Sequence, residues 1–143
     1  MFSSFIVSIL KRLPLQQVWA HCDIPCGIYT PEPALTAAKT VVRMVEKIEA
    51  LPSDMPSTVD TRNAFVRMVR VKEEHAQKCK EELLILWTDY FKPEHLAMFP
   101  DLHEKFWKAA KLCSKVKQEV SLEGAQALLG AVEEIAEMFH KVA

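Results

Sequence analysis

Four stretches in which apolar residues return every three or four positions, separated by breaks rich in proline and serine, restrict this chain to a helical fold. The first stretch carries Leu35, Ala38, Val41, Val42, Val45 and Ile48 and ends near Leu51-Pro52. Pro52-Ser53-Asp54-Met55-Pro56-Ser57 then reads as a loop, after which Ser57, Thr58 or Asp60 can cap a long second helix. That helix places Phe65, Val69, Ala76, Cys79, Leu83, Leu86 and Tyr90 on one stripe, with Lys72 as its polar exception, until Pro93. From Pro100 a third helix presents Leu102, Phe106, Ala109, Cys113, Val116 and Val120. Ser121 is an N-cap for a fourth, with Leu122, Ala125, Leu128, Leu129, Val132, Ile135, Ala136 and Phe139 on one face.

Four amphipathic helices on short connections bury their stripes most simply against one another, which predicts an all-α, four-helix bundle with crossings near ~20°. A chain of 143 residues supports one such domain, and a content of only 3 glycines suits continuous helix. The 18 basic and 19 acidic residues nearly cancel, so a broad footprint for nucleic acid is not expected. The Lys72-Glu73-Glu74 and Lys80-Glu81-Glu82 runs read as a solvated face. Cys79 and Cys113 fall on inner stripes as small core residues, and His75, His95, His103 and His140 lack the i, i+4 pairing of a helical metal site.

Residues 1–20 differ from this body. Phe2, Phe5, Ile6, Val7, Ile9 and Leu10 make an apolar run that Lys11-Arg12 and Pro14 stop well short of the ~20 residues a spanning helix needs, so stable membrane insertion is not expected. Val18-x-Ala20 suits a cleavage site, although no positive charge precedes the apolar run, and a short helix packed on the body is the other reading. Cutting between Ala20 and His21 would free an α-amino group of pKa about 8 beside an imidazole and a thiol. The expected division is a leader, 1–20, that a processing peptidase would remove, and a bundle, 21–143.

The segment that such a cut would expose, His21-Cys22-Asp23-Ile24-Pro25-Cys26-Gly27-Ile28-Tyr29, gathers soft metal ligands and turn formers into a hook. Cys-x-x-x-Cys spacing alone fits a disulfide, half a zinc site or coincidence. An N-terminal His-Cys adds an amine, a deprotonated Cys22 backbone nitrogen and a thiolate in adjacent positions, and Cys26 can close the square. Nitrogen and sulfur in one plane favour nickel(II) or copper(II) over zinc, magnesium or calcium.

The hook, together with Leu86-Trp87-Thr88-Asp89-Tyr90-Phe91-Lys92-Pro93 and Phe99-Pro100-Asp101-Leu102-His103, resembles the nickel-containing superoxide dismutases from His21 to the C-terminus. The resemblance implies a four-helix bundle assembled as a homohexamer, a leader removed to expose His21, and conversion of superoxide to dioxygen and hydrogen peroxide through a nickel(II)/nickel(III) cycle. It implies nickel ligation by the His21 amine and imidazole, the Cys22 backbone nitrogen and thiolate, and the Cys26 thiolate. It also implies that Tyr29 and Tyr90 lie near the open face, that Asp23 and Pro25 shape the loop, and that Arg62 and Lys92 support the site or its charge. The family pattern pairs an arginine matching Arg70 with a first-helix glutamate to hold the axial imidazole, but Ala37 stands at the glutamate's position. Another group, such as one from a neighbouring subunit, would then have to orient His21. Free thiols favour the cytoplasm. The rival readings are a helical protein that binds or traffics nickel or copper without turnover, and a small exported protein with a Cys22–Cys26 disulfide.

Replacing Cys22 or Cys26 by Ser should abolish nickel redox activity, whereas Cys113→Ala should cost stability, about 1 to 3 kcal/mol. Metal analysis and urea unfolding of the three variants check this, and loss of nickel from Cys113→Ala would undo the division of the cysteines into two classes.

Overall fold

A computed structural model describes residues 28–54 and 56–143. Four helices run in chain order: α1, Glu32–Glu49; α2, Val59–Ile85; α3, Leu102–Gln118; and α4, Leu122–Val142. Neighbours in sequence pack on one another and α4 closes the ring against α1, giving a four-helix bundle without a strand among the described residues. No helix among the described residues is long and apolar enough to cross a membrane. The leader and the hook from His21 to Gly27 lie outside the described residues.

Each helix begins where its local chemistry dictates. Pro31 and Pro33 start α1, needing no N–H in the first turn, while Glu32 complements the positive end of the helix dipole. Of the three capping candidates for α2, Thr58 serves: its Oγ1 accepts from Thr61 N–H at 3.2 Å, and Thr61 Oγ1 accepts in return from Thr58 N–H at 3.0 Å. Ser121 caps α4 by accepting from Gly124 N–H at 3.1 Å. Glu49 at the end of α1 accepts from Leu122 N–H at 3.1 Å, so the last turn of one helix also serves the first turn of another.

The expected stripes form the core in α1, α3 and α4, with two corrections elsewhere. Val120 lies beyond the end of α3 and is exposed, because the helix stops at Gln118. In α2 the stripe is buried only from Lys72 onward, through Ala76, Cys79 and Leu83. Phe65 is 40% exposed and Val66 60%, since the first turns of α2 carry their apolar residues past the helices that could cover them.

Lys72 reverses the sequence expectation most plainly. Its residue is 2% exposed, and its ammonium donates to the carbonyls of Val116, Lys117 and Glu119 at 2.7, 3.0 and 2.9 Å. These are carbonyls at the end of α3, which have no intrahelical donor and carry the negative end of its dipole. Burial pushes the Lys72 pKa below its ordinary value.

Lys72→Met should destabilise the protein by about 2 to 4 kcal/mol, because it strands buried carbonyls while keeping the aliphatic stem. Urea unfolding measures this, and a loss below about 0.5 kcal/mol would mean that water replaces the ammonium without penalty.

Candidate metal centre

Helix α2 does not continue to Pro93 as an ordinary α-helix. Leu86–Tyr90 forms a π-helical turn, closed by the Phe91 N–H donating to the Leu86 carbonyl at 3.0 Å, and Pro93–Ala97 follows as a short 3₁₀ turn. The wide turn points three aromatic residues at different neighbours. Trp87 stacks on Phe106 of α3, centroids 5.9 Å apart and planes 6° from parallel, while Phe91 meets the same ring edge-on at 5.4 Å. Tyr90 stacks on Phe139 of α4 at 4.3 Å.

The two motifs quoted from the sequence meet here. Trp87 Nε1–H donates to His103 Nδ1 at 2.8 Å. His95 plays a similar local part: its Nδ1 accepts from the Lys92 backbone N–H at 3.2 Å, and its ring lies edge-on to Phe91 at 5.7 Å. Scattered histidines gave no sign of these roles, which depend on the turn after α2.

Tyr29, three residues after Cys26, reaches this aromatic end of the bundle. Its ring centroid is 5.6 Å from that of Tyr90, with the planes inclined by 55°. Ile28, Tyr29 and Pro33 face Glu82, Ile85 and Leu86 across a cavity of about 170 Å³. Burial raises the Tyr90 pKa above its ordinary value.

The remaining sequence candidates occupy separate places. Lys92 is exposed, two residues beyond Tyr90. Arg62 is exposed in the first turns of α2, its Nε donating to the Thr58 carbonyl at 3.3 Å. Arg70 is exposed and paired with Glu74 at 2.6 Å. It precedes Glu82 by twelve residues, or about 18 Å of helix at 1.5 Å per residue, so this chain's own fold does not bring it to the Tyr29 cavity. Ala37 is 1% exposed in the α1 core face. His21, Cys22, Asp23, Pro25, Cys26 and the Ala20 cleavage position lie outside the described residues.

Among the described residues no group of three or more His, Cys, Asp or Glu could hold a metal ion. His21, Cys22 and Cys26 of the hook carry the nitrogen and sulfur donor types that suit nickel.

Residues 16–142 match the family described as nickel-containing superoxide dismutase. A curated relative, the nickel superoxide dismutase of Streptomyces seoulensis, is 35% identical over 133 residues, covering 92% of this chain and 95% of its own. That of Streptomyces coelicolor is 33% identical with the same coverage. The native crystal structure of a nickel superoxide dismutase superimposes with a TM-score of 0.74 at 31% identity, covering 85% of this chain and 97% of that one. In fold, motifs and donor chemistry alike, the chain belongs to the nickel-containing superoxide dismutases, enzymes whose cofactor is nickel.

Proposed function

We propose that the mature form of this superoxide dismutase begins at His21, holds one nickel ion through the His21 amine and imidazole, the Cys22 nitrogen and thiolate and the Cys26 thiolate, and works as a cytoplasmic homohexamer. The observation that carries this reading is the meeting of Tyr29 and Tyr90 at the end of the bundle, immediately after the hook. Nickel supplies one-electron chemistry, which thiolate and amide donors make accessible by favouring the higher oxidation state.

The chain's own residues do the rest. Superoxide is a small anion, and two adjacent phenols offer O–H donors to place it and ordered water. Tyr90 is suited to that task because a phenol keeps its proton at neutral pH, and its stack on Phe139 holds the ring in place. Lys92 puts a positive charge beside the same turn, which favours the approach of an anion. Asp23 and Pro25 shape the loop between the two thiolates, while Arg62 and Arg70 lie on α2 away from the tyrosines. With Ala37 apolar and Arg70 paired to Glu74, another group, such as one from a neighbouring subunit, orients the His21 imidazole.

Assembly is supported by the first half of α2, where Val59, Phe65 and Val66 expose apolar surface along a helix whose other half is core. A cytoplasmic location is supported by the free thiols of Cys79 and Cys113.

The chain cut before His21 should bind one nickel per chain, dismutate superoxide and run in solution at six times its chain mass, while the chain retaining residues 1–20 should be inactive. Metal analysis, pulse-radiolysis kinetics and light scattering test these points. Full activity without cleavage would overturn the assignment of His21, and nickel binding without turnover would favour a trafficking role. Separately, Tyr90→Phe should lower kcat/KM for superoxide about 2- to 10-fold, the range for one lost hydrogen bond. Ultraviolet titration of the parent minus this variant should reveal a phenol ionising above about 10, the ordinary tyrosine value.

A further inference from the structure

The seam between α2 and α3 holds two cysteines that the nickel chemistry does not use. Both Cys79 and Cys113 are 0% exposed, and neither is bridged. Polar contacts tie the two helices together beside them. Lys117 Nζ donates to Gln77 Oε1 at 3.0 Å, and Lys80 Nζ donates to Ser114 Oγ at 3.1 Å. In two antiparallel helices these pairings set residue 79 across from residue 115, within about one turn of Cys113 along the seam, and the buried Ala76 and Ala109 let the backbones approach. The two thiols, buried in the same seam, interact with each other.

We propose that Cys79 and Cys113 form an oxidisable dithiol, which hydrogen peroxide, the product of this enzyme's own reaction, closes to a disulfide joining α2 and α3. Cys113 is the attacking sulfur. The interaction with Cys79, with the nearby charge of Lys80, holds its pKa below the ordinary thiol value despite burial. The same interaction, with burial, pushes Cys79 up, which suits it to the second step.

The Cys113 sulfur bonds to one peroxide oxygen as the O–O bond breaks, and the departing hydroxide leaves as water with the Cys113 proton. Cys113 is then a sulfenic acid. The Cys79 sulfur displaces its hydroxyl, forming the S–S bond, and the Cys79 proton leaves with that hydroxide as a second water. Two thiols lose two electrons and two protons, and one peroxide becomes two waters. Peroxide is close to water in size, and it gains access when the seam opens locally beside the half-buried Lys80 and Ser114. The resolving thiol already in contact captures the sulfenic acid ahead of further oxidation.

The purified protein is treated with millimolar peroxide in the absence of superoxide, unfolded, alkylated and peptide-mapped. A cross-linked peptide joining Cys79 to Cys113, two hydrogens lighter than the dithiol and released by dithiothreitol, is the expected product. In Cys79→Ala, dimedone should trap a sulfenic acid at Cys113. Complete alkylation of both thiols after peroxide, or pairing of Cys113 with Cys22 or Cys26, would overturn the proposal. Because peroxide is added directly, a chain that failed to dismutate superoxide would still form the bridge, so the two readings fail independently.

Discussion

The ammonium of Lys72 fixes how α3 ends and how it meets α2, and much of the molecule follows from that placement. Three carbonyls at the end of α3 converge on one buried cation, which satisfies groups that a helix end otherwise leaves without donors. With that end pinned, Gln77 falls opposite Lys117 and Lys80 opposite Ser114. The same register carries α2 forward so that the turn after Ile85 delivers Trp87 and Phe91 to Phe106. A charged residue in the middle of a stripe is therefore the fastening of the seam.

The aromatic end of the bundle is continuous. Trp87 and Phe91 rest on Phe106, Tyr90 rests on Phe139, and Tyr29 leans on Tyr90. Contacts from α3, α4 and the segment preceding α1 thus hold the two phenols together, and the hook is tethered to that platform by the two residues between Cys26 and Tyr29. Rigid aromatic support suits the proposed site, in which hook residues would hold the metal and the two phenols would keep a fixed place beside it.

Much of this was legible in the sequence. Periodicity identified four helices and most of their inner faces, and Thr58 and Ser121 act as the caps their chemistry suggested. Periodicity failed where it was asked to say what covers a stripe. Phe65 belongs to the same amphipathic pattern yet is exposed, and among the described residues nothing covers it, whereas a repeat of three and four looks the same in either case. Lys72 read as an exception because its partners are backbone carbonyls 44 to 47 positions away, which no residue pattern encodes. The hook stands out in the sequence by its chemistry and by resemblance, and its residues from His21 to Gly27 lie outside the described ones. The gap at Ala37 was legible too, and the core position of that residue gives it a structural reason.

The π-helical turn at Leu86–Tyr90 has a consequence for how the tyrosine pair tolerates change in the chain. Its hydrogen-bonded loop holds one more residue than an α-helical one, so everything after it is rotated by about 100° relative to the face that α2 has presented until then. Tyr90 owes its position to that angular offset. Length changes in α2 on the far side of Lys72 leave the offset untouched, whereas deletion of a single residue between Leu86 and Tyr90 would restore ordinary winding and swing the phenol off Phe139. The turn therefore separates a stretch of sequence free to vary in length from one whose residue count is fixed.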